Sequence, residues 1–490
     1  MNQAERWGLV ACCWLGAAAR FRGLFANSFH PDEALFASWA RLIAVWRDPL
    51  LLTQAVDKPP LLFYLQALFY PLFGPVEWAA RMPSFIVSLL LIPLTAQTAR
   101  RLTGDGTAAI VAAILVGLAP LTIQFSATAF SDPLLTFWLM AALYAVARPV
   151  TVSRHPRATV VLPGVLFGLA LATKYQALLF LPLLVGMGWI FGRRRWEWLG
   201  VLMGLGMVLA ILLLWQAARP TNSGLIGLQW ANIGGIRPAR SWELWPRLIE
   251  TARLWQVSLG WPLAAATVSV VATGVFVGRR RGGAYPPAVE ILILLFVSGY
   301  VLLHWLWAVP IWDRYLLPIL PLVAILFGRG FASLLLSVRE RQPHRYAFLA
   351  MLSLLALALV PTTLAARGGR LPIGGRADAD GGAAESARLL KDAPYGTVLY
   401  DHWYSWHWGY QLFDSRVYVS WFPQADALLG DLTVFAGRGP ERYIALPSSV
   451  VAAPVLRRLS AAGYSLEALD GQDETATMTL YRIIAPETVR

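Results

Sequence analysis

The sequence is poor in charged residues and in cysteine, and each shortage excludes a class of protein. Only 14% of the 490 residues are Asp, Glu, Lys or Arg, whereas soluble globular domains carry about 25%. The two cysteines, Cys12 and Cys13, are adjacent, so they cannot provide the disulfide framework of a small secreted protein. The six histidines form no ligand motif, and the sequence has no Gly-rich phosphate loop, nucleophile elbow or zinc spacing. With 57% hydrophobic residues, the composition predicts an integral membrane protein.

Apolar runs long enough to cross a bilayer recur through the first three quarters of the chain. A helix of about 17 to 25 apolar residues spans a hydrocarbon core of roughly 30 Å. The runs that qualify are 7–25, 78–99, 107–123, 130–147, 158–173, 176–191, 196–217, 250–277, 288–306, 315–338 and 348–366. The sequence therefore predicts a multi-span α-helical membrane protein with about eleven transmembrane helices.

The positions of the basic residues along the chain explain why they are in excess. A net charge of +13 would suggest a nucleic-acid partner in a soluble protein. Here the basic residues fall in alternate loops, at Arg6, Arg100, Arg101, Arg148, Arg154, Arg157, Arg193–Arg195, Arg279–Arg281, Arg339, Arg341 and Arg345. The positive-inside rule makes these loops cytoplasmic. We therefore expect a multi-pass bacterial inner-membrane protein with a cytoplasmic N-terminus, an extracytoplasmic tail and no nucleic-acid partner, and we interpret the first span as a retained signal anchor.

Composition changes at the end of the last apolar run, which divides the chain. We expect a membrane domain over 1–366, a linker rich in Gly, Arg and Asp over 367–384, and a small extracytoplasmic α/β domain over 385–490. In the last of these, 396–401, 416–421, 442–446 and 478–483 are predicted strands and 453–469 a helix. The loop 26–77 is expected to be structured, with a helix that begins at Pro31 and an apolar interfacial helix over 61–73.

An acidic pair, Asp32-Glu33, opens the helix in that first outer loop. Acidic residues in the first turn are favoured by the helix dipole, so capping explains the pair without any chemistry. The functional interpretation is a catalytic base that takes the proton of a hydroxyl attacking a sugar phosphate. On spacing alone, the two interpretations have about equal weight.

The second constellation is Asp57-Lys58-Pro59-Pro60. The two prolines end any preceding helix and fix the turn, which holds Asp57 and Lys58 at the membrane surface. A snorkelling lysine with a counter-charge is the simpler interpretation. The functional one pairs Lys58 with a lipid phosphate and makes Asp57 a ligand of a divalent metal ion or of a phosphate-bound water.

Charged residues also stand at the ends of apolar spans. Asp132, a candidate substrate-binding residue, lies at the outer mouth of the fourth span, where a helix N-terminus also favours a carboxylate without any chemistry. Lys174 lies between two short spans, where a charge is a functional hypothesis by default, and it is a candidate phosphate ligand. Arginines break the positive-inside pattern at Arg20, Arg22, Arg81, Arg237, Arg240 and Arg314. An anionic substrate would explain them, and lipid headgroups could engage some of them.

Together these segments resemble the GT-C class of polyprenyl-phosphate-sugar-dependent glycosyltransferases, which includes the lipid A aminoarabinose transferases and the protein O-mannosyltransferases. The resemblance covers about residues 15–325. The matching motifs are Arg20-Phe21-Arg22, His30-Pro31-Asp32-Glu33-Ala34, Asp57-Lys58-Pro59-Pro60-Leu61, Glu77-Trp78-Ala79-Ala80-Arg81-Met82-Pro83-Ser84, Ser131-Asp132-Pro133-Leu134-Leu135, Thr173-Lys174 and Arg314-Tyr315-Leu316-Leu317-Pro318.

The resemblance implies a GT-C fold with Asp32 as the catalytic carboxylate, and with Lys58 and Lys174 holding the carrier phosphate. It implies transfer with inversion from a lipid donor that enters from the membrane. Two departures weigh against metal dependence: Asp57 stands where the aminoarabinose enzymes have glutamate, and the outer loop 218–249 contains no histidine.

Two other classes of function remain open from the residues themselves. A lipid-linked sugar flippase would also need outer cations and many spans, although alternating access favours a site at the midplane. A membrane sensor with a ligand-binding tail would leave the Lys58 and Lys174 motifs without a role. For a transferase, lipid A, a cell-wall glycan, a glycolipid and a protein hydroxyl all remain open as the acceptor.

Overall fold

The chain is described by a computed structural model over residues 2–148, 156–219, 227–228, 237–260, 288–339, 345–435, 439–448, 450–469 and 477–486. It divides into two compact units. The first comprises Met1–Ala26 and Ala40–Arg376, and the second comprises Asn27–Trp39 and Ala377–Arg490. The change of unit after Arg376 falls inside the predicted linker 367–384. The grouping of 27–39 with the tail was not indicated by the sequence.

The first unit is helical in the part of the chain that the structure describes. Its early helices are α1 (Gln3–Ala26), α3 (Leu61–Ala67), α4 (Tyr70–Phe73), α5 (Glu77–Thr103), α6 (Gly106–Leu118), α7 (Pro120–Ser126), α8 (Asp132–Val146), α9 (Pro156–Thr173), α10 (Leu181–Ile190) and α11 (Arg195–Ala217), and α2 (Pro31–Ala44) begins in the second unit. Later helices span Ser241–Leu259, Ala288–Leu306, Leu320–Arg339 and Arg345–Arg367, with 3-10 turns over Tyr175–Phe180 and Asp313–Ile319.

Five of the described helical segments are long and apolar enough to cross a membrane, and a bent pair would make six. The five are Gln3–Ala26, Glu77–Thr103, Arg195–Ala217, Ala288–Leu306 and Asp313–Leu335. Shorter apolar helices cover several of the other predicted spans. The prediction of a helical membrane protein is confirmed. The count of eleven stays a prediction, because the end of the predicted span 250–277 lies outside the described residues.

The predicted span 107–123 is not one straight helix, because α6 and α7 meet at an angle of 53°. Pro120 lacks the N–H that would bond to the carbonyl of Val116, and it drives Ala119 into an extended conformation, with ψ of 132°. Arg20 of α1 supplies donors at the break. Its guanidinium bonds to the carbonyls of Gly117 at 2.6 Å and Val116 at 2.9 Å.

The predicted interfacial helix 61–73 is also divided, into α3 and α4. The break lies next to Pro71, which occupies the first turn of α4 and has no N–H to continue the ladder from α3. Leu68, Leu72 and Phe73 are exposed. The apolar surface expected of this segment is therefore present on two short helices.

The second unit contains a five-stranded sheet with the order β2-β1-β3-β5-β4. The strands are β1 (Val398–Asp401), β2 (Tyr418–Trp421), β3 (Arg442–Pro447), β4 (Ser465–Ala468) and β5 (Met478–Ile484). Strands β2, β1 and β3 are parallel, whereas β5 and β4 join in antiparallel register. Helices Ala425–Phe435 and Ala453–Ala461 pack on one face of the sheet, and Ala383–Leu390 and Ser405–Gln411 pack on the other.

The predicted helix 453–469 is wrong in its second half. The helix ends at Ala461, and Gly463 adopts a φ of +82°, which a residue with a side chain rarely takes. The chain then turns into β4, which pairs with β5. The alternation in 465–468 was too short to distinguish a strand from the continuation of a helix.

Candidate functional site

The first unit places Lys174 against Asp132. Lys174 Nζ lies 2.6 Å from Asp132 Oδ1, and the Asp132 side chain is only 1% exposed. Asp132 opens α8, while Lys174 stands in extended conformation between α9 and the turn that follows it. Such a buried pair is held in one geometry, because separating it would leave an uncompensated charge. One of the three ammonium donors is used on Asp132, and Nζ also lies 4.8 Å from the centre of the Tyr315 ring.

Lys58 and Arg314 lie within electrostatic range of Lys174, so three predicted ligands of an anion come together. They come from segments more than a hundred residues apart: the loop before α3, the end of α9 and the turn Asp313–Ile319. The guanidinium of Arg314 lies over the Phe130 ring, 4.8 Å from its centre. Three cations in a partly buried setting can hold a phosphate through charge-assisted hydrogen bonds.

Asp57 and Lys58 form a pair of their own. Lys58 Nζ lies 2.9 Å from Oδ1 and 2.8 Å from Oδ2 of Asp57, whose side chain is buried. The carboxylate predicted to bind a metal ion therefore contacts an ammonium group. Within the described ranges, no group of three or more His, Cys, Asp or Glu residues is arranged to hold a metal ion.

An apolar pocket adjoins the Lys174 position. Its lining includes Tyr300, His304, Trp312 and Tyr315. The hydroxyl of Tyr300 donates to the carbonyl of Tyr315 at 2.8 Å, which fixes one wall. Because Lys174 lies over the Tyr315 ring, an aromatic surface and a cation are adjacent, as a ligand with a charged head and an apolar chain requires.

The predicted linker contributes a segment, residues 371–375, that is tied to the first unit and that we call the strap. The side chain of Gln124 donates to the carbonyls of Leu371 at 3.0 Å and Ile373 at 3.1 Å. The carboxylate of Asp313 accepts the N–H of Gly374 at 2.6 Å and that of Arg314 at 2.7 Å. The strap is therefore linked by one carboxylate to the backbone of Arg314.

The two acidic residues at the start of α2, Asp32 and Glu33, have different surroundings. Glu33 is fully buried, and its carboxylate accepts the backbone N–H of His30 at 2.9 Å. This is the capping interaction that the simpler sequence interpretation expected. Asp32 is half-buried, and its backbone N–H bonds to the His30 ring at 3.2 Å. Of the two carboxylates, that of Asp32 is the more exposed, and both residues belong to the second unit. The assignment of catalysis to either residue stays a prediction.

The structure gives the two other predicted arginine ligands protein partners. Arg81 is 1% exposed and lies 3.4 Å from Glu77, one turn earlier on α5, and 3.4 Å from the carbonyl of Leu24. Arg237 makes a bidentate pair with Glu243, at 2.6 and 2.8 Å, at the start of the helix Ser241–Leu259. Their assignment to a substrate stays a prediction.

Two arginines with structural roles were missed. Arg247 donates to the carbonyls of His304, Trp305 and Val309, at the end of the helix Ala288–Leu306 and just beyond it. Arg219 donates to the carbonyls of Leu51 and Gln54, at 2.9 Å each, in the loop before Asp57. A cation at a helix C-terminus satisfies unpaired carbonyls, but no local pattern shows that the helix end lies 57 residues away.

Comparison with known proteins supports the resemblance to polyprenyl-phosphate-sugar-dependent glycosyltransferases. A family model described as dolichyl-phosphate-mannose-protein mannosyltransferase matches residues 57–219, about a third of the chain. An undecaprenyl phosphate-alpha-4-amino-4-deoxy-L-arabinose arabinosyl transferase of Pseudomonas paraeruginosa is 27% identical over 256 residues, which is 50% of this chain and 43% of that protein. A protein of the same name from Edwardsiella ictaluri is 26% identical over 38% of this chain and 35% of its own. The chain thus spans about two fifths of the curated relatives it matches.

Solved structures match over nearly the whole chain. ArnT from Cupriavidus metallidurans, in its apo state, superposes with a TM-score of 0.66 at 17% identity, covering 98% of both chains. The archaeal oligosaccharyltransferase AglB from Archaeoglobus fulgidus superposes with a TM-score of 0.55 at 13% identity, covering 98% of this chain and 74% of its own. The resemblance to GT-C glycosyltransferases of the aminoarabinose transferase type is confirmed, and at these identities the superpositions establish the fold.

Proposed function

We propose that this chain is a membrane glycosyltransferase that moves a sugar from a polyprenyl-phosphate carrier to an extracytoplasmic acceptor. The observation that carries the proposal is the convergence of Lys58, Lys174 and Arg314 on one region beside an aromatic pocket. This arrangement suits a lipid phosphate, with its charge on the cations and its chain on the apolar wall. The fold supports it, because a structural neighbour was solved bound to undecaprenyl phosphate, with a TM-score of 0.64 at 16% identity.

The reaction needs a base and a stabilised leaving group. In the proposed mechanism, the acceptor hydroxyl oxygen attacks the anomeric carbon, and its proton passes to the Asp32 carboxylate. The bond from that carbon to the phosphate oxygen breaks, and the configuration inverts. Lys58, Lys174 and Arg314 stabilise the departing polyprenyl phosphate. Glu33 holds the start of α2 through the His30 N–H, and the proposed mechanism assigns the proton transfer to Asp32.

The placement in the cell is part of the proposal. We infer from the basic residues of alternate loops that the N-terminus lies in the cytoplasm and the tail domain lies outside a bacterial inner membrane. A polyprenyl-phosphate sugar would then reach the protein from the lipid phase. The acceptor would be a glycan, a lipid or a protein on the outer side.

Mass spectrometry of lipids from cells that express wild type, Asp32→Asn or Glu33→Gln tests the proposal. Asp32→Asn is expected to accumulate a sugar-phospho-polyprenol and to lose one glycosylated product. Glu33→Gln keeps an acceptor for the His30 N–H, so transfer should persist. Unchanged lipid and glycan profiles in a folded Asp32→Asn variant would contradict the mechanism and favour a lipid-linked sugar transporter.

A further inference from the structure

The second unit joins the segment that carries Asp32 to the tail domain. Phe29, three residues before Asp32, is fully buried, and its ring packs on Tyr410 with centroids 5.0 Å apart. The carbonyl of Phe29 lies 3.0 Å from His407 Nε2. Both partners lie on or within the helix Ser405–Gln411, nearly four hundred residues further along the chain.

A second set of bonds holds the preceding residue. The backbone N–H of Ser28 donates to the carbonyl of Ala377 at 3.2 Å, and its hydroxyl donates to the same carbonyl at 3.0 Å. The Ser28 hydroxyl also accepts the backbone N–H of Asp380 at 3.1 Å. Two neighbouring residues are therefore fixed by two different parts of the tail.

The bonds made by Ser28 and Phe29 also fix the start of the helix that follows, α2. Pro31 has a restricted φ and begins α2, so the direction of the helix is set by the residues immediately before it. The backbone N–H of Ala34 bonds to the carbonyl of His30 at 3.0 Å, which continues the order into the first turn. Asp32 lies in that turn. A carboxylate on a helix whose start is anchored at Ser28 and Phe29 has little freedom to move.

We propose that the tail domain acts as a positioning element for the proposed catalytic base, with His407 as the positioning residue that fixes Asp32 through the carbonyl of Phe29. The imidazole does not touch the reacting atoms. It donates from Nε2 to a backbone oxygen whose displacement would shift the start of α2. This inference rests on the proposed function of Asp32, and it assigns to the α/β domain a role in the reaction that does not require the domain to bind the acceptor.

The chain offers a matched control in His402. Its Nδ1 lies 2.7 Å from the carbonyl of Phe422, so it also joins an imidazole to a backbone oxygen within the same unit. That carbonyl belongs to the tail and not to the Asp32 segment. Replacement of either histidine by leucine removes one hydrogen bond of the same kind. Only the His407 variant should disturb α2.

The test measures steady-state transfer and amide hydrogen exchange in purified full-length protein. We expect His407→Leu to lower kcat by roughly tenfold to a hundredfold, because displacement of a catalytic group by about 1 Å costs on that order. The KM for the donor should stay within about twofold, since the cations are untouched. His407→Gln, which restores a donor, should recover most of the activity. The amides of Asp32 and Ala34 should exchange faster in His407→Leu and remain as in wild type in His402→Leu.

Two results would overturn the inference: an equal loss of kcat in the His407→Leu and His402→Leu variants, or unchanged amide exchange in α2 of a folded His407→Leu variant. If His407→Leu fails to fold, Ser28→Ala provides a milder perturbation, because it removes only the hydroxyl bonds to Ala377 and Asp380, and the same criteria apply. Absence of transfer by the wild type would instead contradict the proposed function. The exchange data would then still decide whether the tail orders the Asp32 segment.

Discussion

Replacement of Arg20 by methionine is expected to destabilise the fold without weakening the binding of a substrate. From the sequence, Arg20 was one of six outer arginines that suggested an anionic ligand. In the structure it is 1% exposed, and its guanidinium bonds to the carbonyls of Gly16, Val116 and Gly117 and to the hydroxyl of Thr122. These contacts join α1 to the break between α6 and α7.

The magnitude follows from the groups that would lose a partner. Val116 keeps a bond from the Thr122 hydroxyl at 2.7 Å, whereas the Gly117 carbonyl loses its 2.6 Å bond to a charged donor. A buried acceptor left without a partner costs about 1–3 kcal/mol, and bonds to charged groups contribute about 1.5–3 kcal/mol each. Removal of the cost of burying a guanidinium offsets part of this sum. We expect a net loss of about 3 kcal/mol in the free energy of unfolding.

Arg22 provides the control, because it belongs to the same Arg20-Phe21-Arg22 motif but is exposed. Arg22→Met should change the unfolding free energy by less than about 0.5 kcal/mol, as surface substitutions usually do. Unfolding in mixed micelles, followed by tryptophan fluorescence, measures both variants. Binding of undecaprenyl phosphate is measured in parallel. Wild-type stability of Arg20→Met together with loss of phosphate binding would refute the structural role and restore the ligand interpretation.

Three further predictions concern the cations, the strap and the tail. Asp132→Asn removes the carboxylate charge that holds the Lys174 ammonium group in place. The Kd for undecaprenyl phosphate should therefore rise about tenfold, as measured by ligand titration. In the strap, Gly374→Ala would place a Cβ 2.7 Å from a Phe125 ring atom and 3.3 Å from Phe130, the ring beneath Arg314. The affinity for undecaprenyl phosphate in the same titration should therefore fall several-fold. Gly206→Ala is the control and should leave the affinity unchanged, because its Cβ would meet no atom within 4 Å. Burial lowers the pKa of His407, so the folded chain keeps this histidine neutral while the unfolded chain takes a proton below about pH 6.5. The stability of the wild type should therefore be complete above that pH and fall as the pH drops towards the lowered pKa, and His407→Gln should flatten this dependence in thermal unfolding.

The candidate site could be found from the sequence only as a set of separate motifs. Lys58, Asp132 and Lys174 were identified because charge next to apolar spans is rare and costly. Their meeting, and that of Arg314, depends on how α8, α9 and the turn Asp313–Ile319 pack, which no local pattern records. The same limit explains why Arg20 was interpreted as a ligand: its carbonyl partners lie about a hundred residues away.

The acidic pair shows the limit at the level of adjacent residues. Asp32 and Glu33 are equivalent by spacing, and the sequence left capping and catalysis equally weighted. Burial separated them, because Glu33 turns inward to the His30 N–H whereas Asp32 stays half-buried. A difference of about 100° around a helix gives two adjacent carboxylates different burial, which spacing along the sequence does not record.

The sequence by itself determined the membrane class, the change of composition after the last span, four short strands of the tail and the motifs of a polyprenyl-phosphate glycosyltransferase. These features follow from local hydrophobicity, charge bias and short periodicities, which act over a few residues. Only the tertiary structure decided that 27–39 belongs with the tail, that Glu33 caps a helix and that Arg20 supports a broken one. Those outcomes are contacts between residues far apart along the chain, such as Phe29 and His407, which are 378 positions apart. Such contacts form only when the whole chain folds, because they pair the polar groups that folding buries.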